Sequence, residues 1–197
     1  MKRKIILVTG ASRGLGRVMA EIFETNGYTI YKGVRNIQED DGKVVKLDIT
    51  SEQDCRDVVK QIIKKEGRID VLINNAGYTL AGPTTGFEVK DYQQILSTNT
   101  IGAFRLIKEV VGQMRKQKYG RIINITSLNG LVALPNFGLY SSSKFALEAL
   151  GLSLRYELAK DNIWVTNVAP GAIASDAKES APLPHKPARE KFKILYF

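Results

Sequence analysis

Tyr140 stands four residues before Lys144 in the stretch "YSSSK". Inside a helical pattern that spacing puts both side chains on one face. A phenol ordinarily loses its proton at about 10, too high for a base at neutral pH. An ammonium held beside it favours the phenolate. Such a pair can move a proton to or from an oxygen. The same spacing also decorates many helix surfaces, so on its own it leaves two readings open. Ser127, thirteen residues upstream, reads on its own as a turn residue. Asn99 is either part of a site or a side-chain hydrogen bonder of the kind that caps helices.

A second cluster suits phosphate. The run "TGASRGLG", Thr9 to Gly16, ends a short apolar stretch and opens a helical pattern. Glycines let the backbone turn tightly and approach a pyrophosphate, and the free N–H groups of the next helix face it. A strand before and a helix behind are the context that such a loop requires.

Composition removes several alternatives. Cys55 is the only cysteine and His185 the only histidine. A disulfide within the chain and a Cys/His metal site are therefore excluded, as is a Ser-His or Cys-His hydrolase built on a core histidine. His185 lies in a proline-rich stretch and Cys55 in a polar helical pattern, so neither is expected to act in catalysis. Net charge is +9, from 29 Lys+Arg against 20 Asp+Glu. The basic residues are scattered and not interleaved with aromatics as on a single-strand binding surface. No nucleic-acid partner is expected, although positive potential favours a phosphate-rich ligand. No apolar run nears the ~18 residues of a membrane span. The apolar run Ile5 to Val8 is too short for a signal peptide's core, so the expected location is cytoplasmic.

The 197 residues read as one domain. Nearly continuous apolar runs at 4–9, 29–34, 43–47, 71–74, 121–126 and 164–168 predict strands buried on both faces. Helical periodicity falls at 14–26, 52–66, 90–116 and 139–160. Ser51 makes a good start for the second of these helices and Gly67 a good stop. The alternation predicts an α/β protein with a parallel sheet. Residues 35–42, "RNIQEDDG", are short for a helical crossover, so a helix there is missing or reduced to a turn.

These segments together resemble the short-chain dehydrogenase/reductase family of the classical type. The resemblance rests on "TGASRGLG", "LDIT", "NNAG", "NTIG", "NITSLNG", "YSSSK" and "APG", in that order, and covers residues 4 to about 175. The stretch around Tyr140 looks most like the branch with 17β-hydroxysteroid and retinol dehydrogenases. The resemblance implies a three-layer, doubly wound Rossmann fold with strand order 3-2-1-4-5-6 and a short or missing final strand. It implies interconversion of a carbonyl and an alcohol by hydride transfer on a small-molecule substrate. Tyr140 would be the general acid/base and Lys144 would assist it and hold the nicotinamide ribose. Ser127 would bind the substrate oxygen. Asn99 would kink its helix and help hold a water in a proton relay. Cofactor contacts would come from Gly10, Ser12, Arg13, Gly14, Leu15, Gly16, Arg35, Asp48, Ile49, Asn75, Ala76, Gly77, Tyr140, Lys144, Pro170, Gly171 and Ile173. A homodimer or homotetramer through the two long helices is a further expectation.

Val34 stands roughly where NAD-preferring relatives carry an acid, and Arg35 follows it. Arg13 adds a second cation, and two guanidinium groups suit a 2′-phosphate. NADP(H) is therefore favoured over NAD(H). Glu39, Asp40 and Asp41 are assigned to the short connection. Leu128, Leu131, Val132, Ala133, Leu134 and Phe137 would make the substrate pocket partly apolar, or else belong to the core. Residues 175–197 read as a truncated substrate lid or tail, with "FKILYF" as an edge strand or a cut helix. Two rival readings are a non-catalytic redox-sensing NADP(H) module, or inactive fragment of such an enzyme, and a nucleic-acid binder.

Overall fold

The computed structural model describes residues 3–37 and 42–173. Six parallel strands form one sheet: β1 (Ile5–Thr9), β2 (Thr29–Val34), β3 (Val44–Lys46), β4 (Val71–Asn74), β5 (Gly120–Ile125) and β6 (Ile163–Val168). Their order is β3-β2-β1-β4-β5-β6, as expected. The helices are α1 (Gly14–Thr25), α2 (Glu52–Glu66), α3 (Val89–Leu96), α4 (Ala103–Gln117) and α5 (Gly138–Ala159).

Every residue of β1 and of β4 is buried, because helices cover both sheet faces. Alternate residues of β1 serve different layers. Ile5 and Leu7 join Val58, Val59 and Ile62 of α2, Leu106, Val110 and Met114 of α4, and Leu158 of α5. Ile6 and Val8 join Ala20 of α1, with Leu15, Met19 and Phe23 packed alongside. The helical partners recur at spacings of three, four and eight, which is what places them on one stripe. Burying each such side chain contributes roughly 1.5–3 kcal/mol. Ser51 caps α2 by accepting from Asp54 N, and Gly67 ends it at φ 73°.

One expected helix differs. Periodicity predicts one helix over 90–116, but a π turn, Ser97–Gly102, separates α3 from α4. Asn99 is drawn inward there to 1% exposure. Its hydrogen bonds, described below, stabilise the bulge; π turns of this kind recur at functional sites. Single 3₁₀ turns at Thr84–Gly86 and Leu128–Gly130 are too short for periodicity to register. No helix occupies the described part of the β2–β3 connection, in line with its short sequence. The acidic residues 39–41, His185 and everything from 174 onward lie outside the described residues. So do the expected lid and the "FKILYF" element. No described helix is long and apolar enough to cross a membrane.

Candidate active site

Parallel strands bring their C-terminal ends to one edge, and the strand order reverses between β1 and β4. A crevice must open at that point. Two loops floor it. Thr9 Oγ1 accepts from Asn75 N and Ala76 N, each at 2.9 Å. Asn75 Nδ2 donates back to Thr9 O at 2.9 Å and Gly10 O at 3.3 Å. The glycine turn therefore lies against the loop after β4. Gly10 adopts φ 64°, and a Cβ there would sit 2.9 Å from Ala76 Cα. A Cβ on Gly16 would collide with the carbonyl of Gly10. Only glycine fits at these two positions. The first turn of α1 carries no acidic residue, so its amide groups face the crevice without a competing charge.

β5 and α5 bring the proposed chemistry to the same edge. Ser127 follows β5 in extended backbone and caps the short turn after it. Its Oγ accepts from Asn129 N at 3.1 Å, which leaves the hydroxyl hydrogen to donate. Tyr140 is half-buried in the first turn of α5 and packs beside Leu80, Ile95 and Leu139. Lys144 Nζ lies 5.9 Å from the centre of its ring. Lys144 is only 5% exposed. Its Nζ donates to Ile125 O at 2.9 Å. Burial pushes its pKa from 10.5 down to about 8, with Glu148 pulling in the opposite direction.

Asn99 ties three segments together. Its Oδ1 accepts from Tyr78 N at 3.0 Å. Its Nδ2 donates to Tyr78 O at 2.9 Å and to Ser143 Oγ at 3.0 Å. The side chain is thus committed to the loop after β4 and to α5. A Cβ on Gly77 would meet Asn99 Oδ1 at 3.0 Å and Lys144 Nζ at 3.5 Å, so this glycine keeps the loop close to both.

The remaining expected positions fall around the crevice with different roles. Leu15 and Ala76 pack on the two cores, and Ile49 is 7% exposed with its side chain against Gly102. These residues can offer a ligand backbone more readily than side chain. Ser12 and Arg13 lie in the turn before α1, Arg13 in the N-cap position. Asp48 accepts from Thr50 N and Thr50 Oγ1. Pro170 O accepts from Leu128 N at 3.0 Å, joining the β6 end to the turn after Ser127. Gly171 lies against Leu128, and Ile173 is exposed. Beyond β2 an open cleft of about 540 Å³ is lined by Arg35, Asn36, Lys46, Asp48, Ser51 and Asp54. Leu128, Leu131, Val132 and Leu134 are 47–61% exposed, which makes them a rim and not core. Sequence reasoning missed Thr9, Thr126 and the buried Glu148. The available signals were a threonine directly before the glycine turn and a glutamate four residues after Lys144.

The family model for short chain dehydrogenases matches residues 4–184, and the chain belongs to that family. A 3-ketodihydrosphingosine reductase of Bacteroides thetaiotaomicron is 39% identical over 173 residues, 87% of this chain and 64% of that protein. This chain therefore spans somewhat less than two thirds of that relative. A 3-oxoacyl-[acyl-carrier-protein] reductase of Thermotoga maritima is 32% identical over 92% of this chain and 79% of its own length. Among solved structures, a short-chain dehydrogenase from Streptomyces avermitilis superposes with TM-score 0.89 at 30% identity, over 96% of this chain and 74% of that one. ElxO with NADP bound gives TM-score 0.85 at 30% identity, over 90% and 77%. An NAD+-bound xylitol dehydrogenase gives 0.80 at 33% identity, over 85% and 70%.

The buried ammonium has a consequence for stability. Between about 8 and 10.5 the folded state has shed the Lys144 proton while the unfolded chain still holds it. Unfolding there takes up a proton, so stability rises with pH across that window. Below it the full cost remains, about 3 kcal/mol by the shift in pKa. Urea unfolding of the wild type and Lys144→Met from pH 7 to 10.5 is expected to show the difference between them moving toward the wild type by that order. A difference that stays constant with pH would show that Lys144 is not buried as a charge.

Proposed function

We propose that the protein is an NADP(H)-dependent oxidoreductase that interconverts a carbonyl and an alcohol. One observation carries this reading: the buried Lys144 lies 5.9 Å from the Tyr140 ring, donates to Ile125 O two residues before Ser127, and stands 3.5 Å from the Cβ position of Gly77 in the loop that packs on the glycine turn. The turn fits a pyrophosphate, since it packs tightly at Gly10 and Gly16 while Ser12 and Arg13 stay exposed just before α1. Arg35 and Lys46 line the cleft where the adenosine end would lie. When bound, the dinucleotide supplies or accepts the hydride.

The chain's own groups handle the oxygen and its proton. Ser127 donates its hydroxyl hydrogen to the substrate oxygen, which gathers negative charge as the carbonyl is reduced. Tyr140 delivers the proton that completes the alcohol, and takes it back in the reverse direction. Lys144 keeps positive charge behind Tyr140 and has N–H groups left for ribose hydroxyls after its bond to Ile125 O. Asn99 holds the π turn in place and helps to hold a water that returns the proton toward Lys144. The apolar rim from Leu128 to Leu134 favours a substrate with an apolar chain. The names of the two curated relatives describe a 3-ketodihydrosphingosine and a 3-oxoacyl-[acyl-carrier-protein], and we extend the shared 3-oxo class to this chain.

Oligomerisation belongs to the same proposal. Phe145, Leu152 and Tyr156 follow one stripe of α5 and are 41%, 45% and 80% exposed, with Phe104 of α4 at 40%. An exposed apolar stripe along one helix calls for a partner, and a two-fold axis lets a second copy supply the matching face.

Three outcomes are expected. Tyr140→Phe should abolish NADPH-dependent reduction of a 3-oxoacyl thioester while NADPH still raises the unfolding midpoint as in the wild type. Near-normal turnover would remove Tyr140 from the chemistry, and a wild type that binds NADPH without turnover would favour the redox-sensing reading. Arg35→Asp should shift the preference toward NADH by tenfold or more, since a charge-assisted contact contributes roughly 1.5–3 kcal/mol. An unchanged ratio of NADPH to NADH affinity would take Arg35 out of the phosphate site. Light scattering should give a dimer or tetramer mass that falls to the monomer in Phe145→Asp/Leu152→Asp; a monomeric wild type refutes this interface.

A further inference from the structure

α5 carries another ionisable side chain inward. Glu148 stands four residues after Lys144, one turn further along the same face, and is 8% exposed. A carboxylate buried this deeply needs partners. Its Oε1 accepts from Thr126 Oγ1 at 2.5 Å and its Oε2 from Asn167 Nδ2 at 2.6 Å. Asn167 also donates to the Glu148 backbone carbonyl at 3.0 Å. Gly151 makes room for this approach, because a Cβ there would collide with the Asn167 amide.

Behind Asn167 the amides form a ladder across the sheet. Asn74 Nδ2 donates to Asn124 Oδ1 at 2.9 Å, and Asn124 Nδ2 to Asn167 Oδ1 at 3.0 Å. The three residues are cross-strand neighbours in β4, β5 and β6. Each amide turns its N–H end toward the carboxylate, so the dipoles add at the negative charge.

The grip falls where the proposed site needs registration. Thr126 directly precedes Ser127. Its N donates to Val168 O at 2.8 Å, just before Pro170 and Gly171, while its single hydroxyl hydrogen goes to Glu148 Oε1. One carboxylate on the helix of Tyr140 and Lys144 therefore holds the β5 end, and through Thr126 and Asn167 it holds β6.

We propose that Glu148 is a positioning residue of this site: its buried carboxylate fixes Ser127 relative to Tyr140 and Lys144 and supplies the negative charge that keeps Lys144 an ammonium. The functional half of this statement rests on the oxidoreductase reading; the electrostatic half stands on the fold. The groups around Lys144 are Tyr140 and Glu148 on its own helix, Ile125 O from β5, Gly77 from the loop after β4, and Asn99 from the π turn. Glu148 is the charge that opposes the effect of burial on Lys144. Without it that effect has no counterweight.

The test is a titration of Lys144 by the ¹³Cε resonance of lysine-labelled protein, assigned by its loss in Lys144→Arg. Glu148→Gln should titrate about one pH unit below the wild type. Glu148→Asp should recover most of that difference, and Thr126→Val should leave the titration alone. With NADPH and a 3-oxoacyl thioester, Thr126→Val should instead lose 10- to 100-fold in kcat with little change in NADPH affinity, as expected when a reacting group is displaced. A Glu148→Gln protein that titrates like the wild type refutes the electrostatic role. A Thr126→Val protein with wild-type kcat refutes the tether. Should Glu148→Gln fail to fold, Glu148→Asp and Thr126→Val decide the two halves in its place. A wild type without turnover would overturn the oxidoreductase reading and the tether with it, while the titration would still decide the role of the charge.

Discussion

The crevice between β1 and β4 depends on how closely two loops can approach. A bulky turn after β1 would push the two apart and leave backbone groups without partners in a dry region, at a cost of about 1–3 kcal/mol each. Thr9 and Asn75 prevent this by giving the two loops four mutual hydrogen bonds. That zipper works only because Gly10 lies against Ala76 and Gly16 against Gly10. The glycines thus have two tasks that cannot be separated. They open a path for a ligand's phosphates, and they let the floor of the crevice close beneath them.

The second constraint is the cost of Lys144. An ammonium removed from water is unstable unless its N–H groups and its charge are both answered. Ile125 O answers one N–H group, and Glu148 answers the charge from one helical turn away. The arrangement leaves Lys144 poised to titrate far closer to neutral pH than an exposed lysine. Stability is given up locally to hold a cation beside the Tyr140 ring. β1 and β4, buried throughout, are what the fold sets against that loss.

Much of this was legible in the sequence because the strands are buried on both faces. Continuous apolar runs such as "IILVT" and "VLIN" can hardly be anything but interior parallel strands, and their spacing fixes the alternation with helices. The glycine turn and the Tyr140–Lys144 spacing were legible for the same local reason, since each is set within one turn of backbone. What escaped was set across the sheet. Asn75 reads as a residue lining a ligand, yet its amide is spent on the carbonyls of Thr9 and Gly10. Helical periodicity runs unbroken through residues 97–102, so only the family resemblance, which implied a kink at Asn99, anticipated the π turn that Asn99, Tyr78 and Ser143 create together. Glu148 reads as an ordinary polar position in "FALEALGLSLRYEL", and only the arrival of Thr126 and Asn167 from β5 and β6 makes it a buried anchor.

Charge at the far end of the crevice follows the same logic of prior commitment. The cleft beyond β2 holds two carboxylates as well as two cations, which at first sight would repel a phosphate as much as attract it. The carboxylates are already engaged. Asp48 Oδ1 accepts from Thr50 twice, and Asp54 accepts from Ser51 Oγ and Asp48 N. Those bonds, the one from Ser51 foremost, hold the Asp54 carboxyl below its ordinary pKa. They also fix both acids against the loop that starts α2. Arg35 extends from the end of β2 and is exposed, so it can move toward an incoming anion at small cost. Repulsion from fixed acids falls off with distance and is screened by salt. Attraction to a mobile guanidinium grows as it closes on the phosphate and forms paired hydrogen bonds. The balance in this cleft is therefore set by which charges are free to respond, and a bare count of signs would miss it.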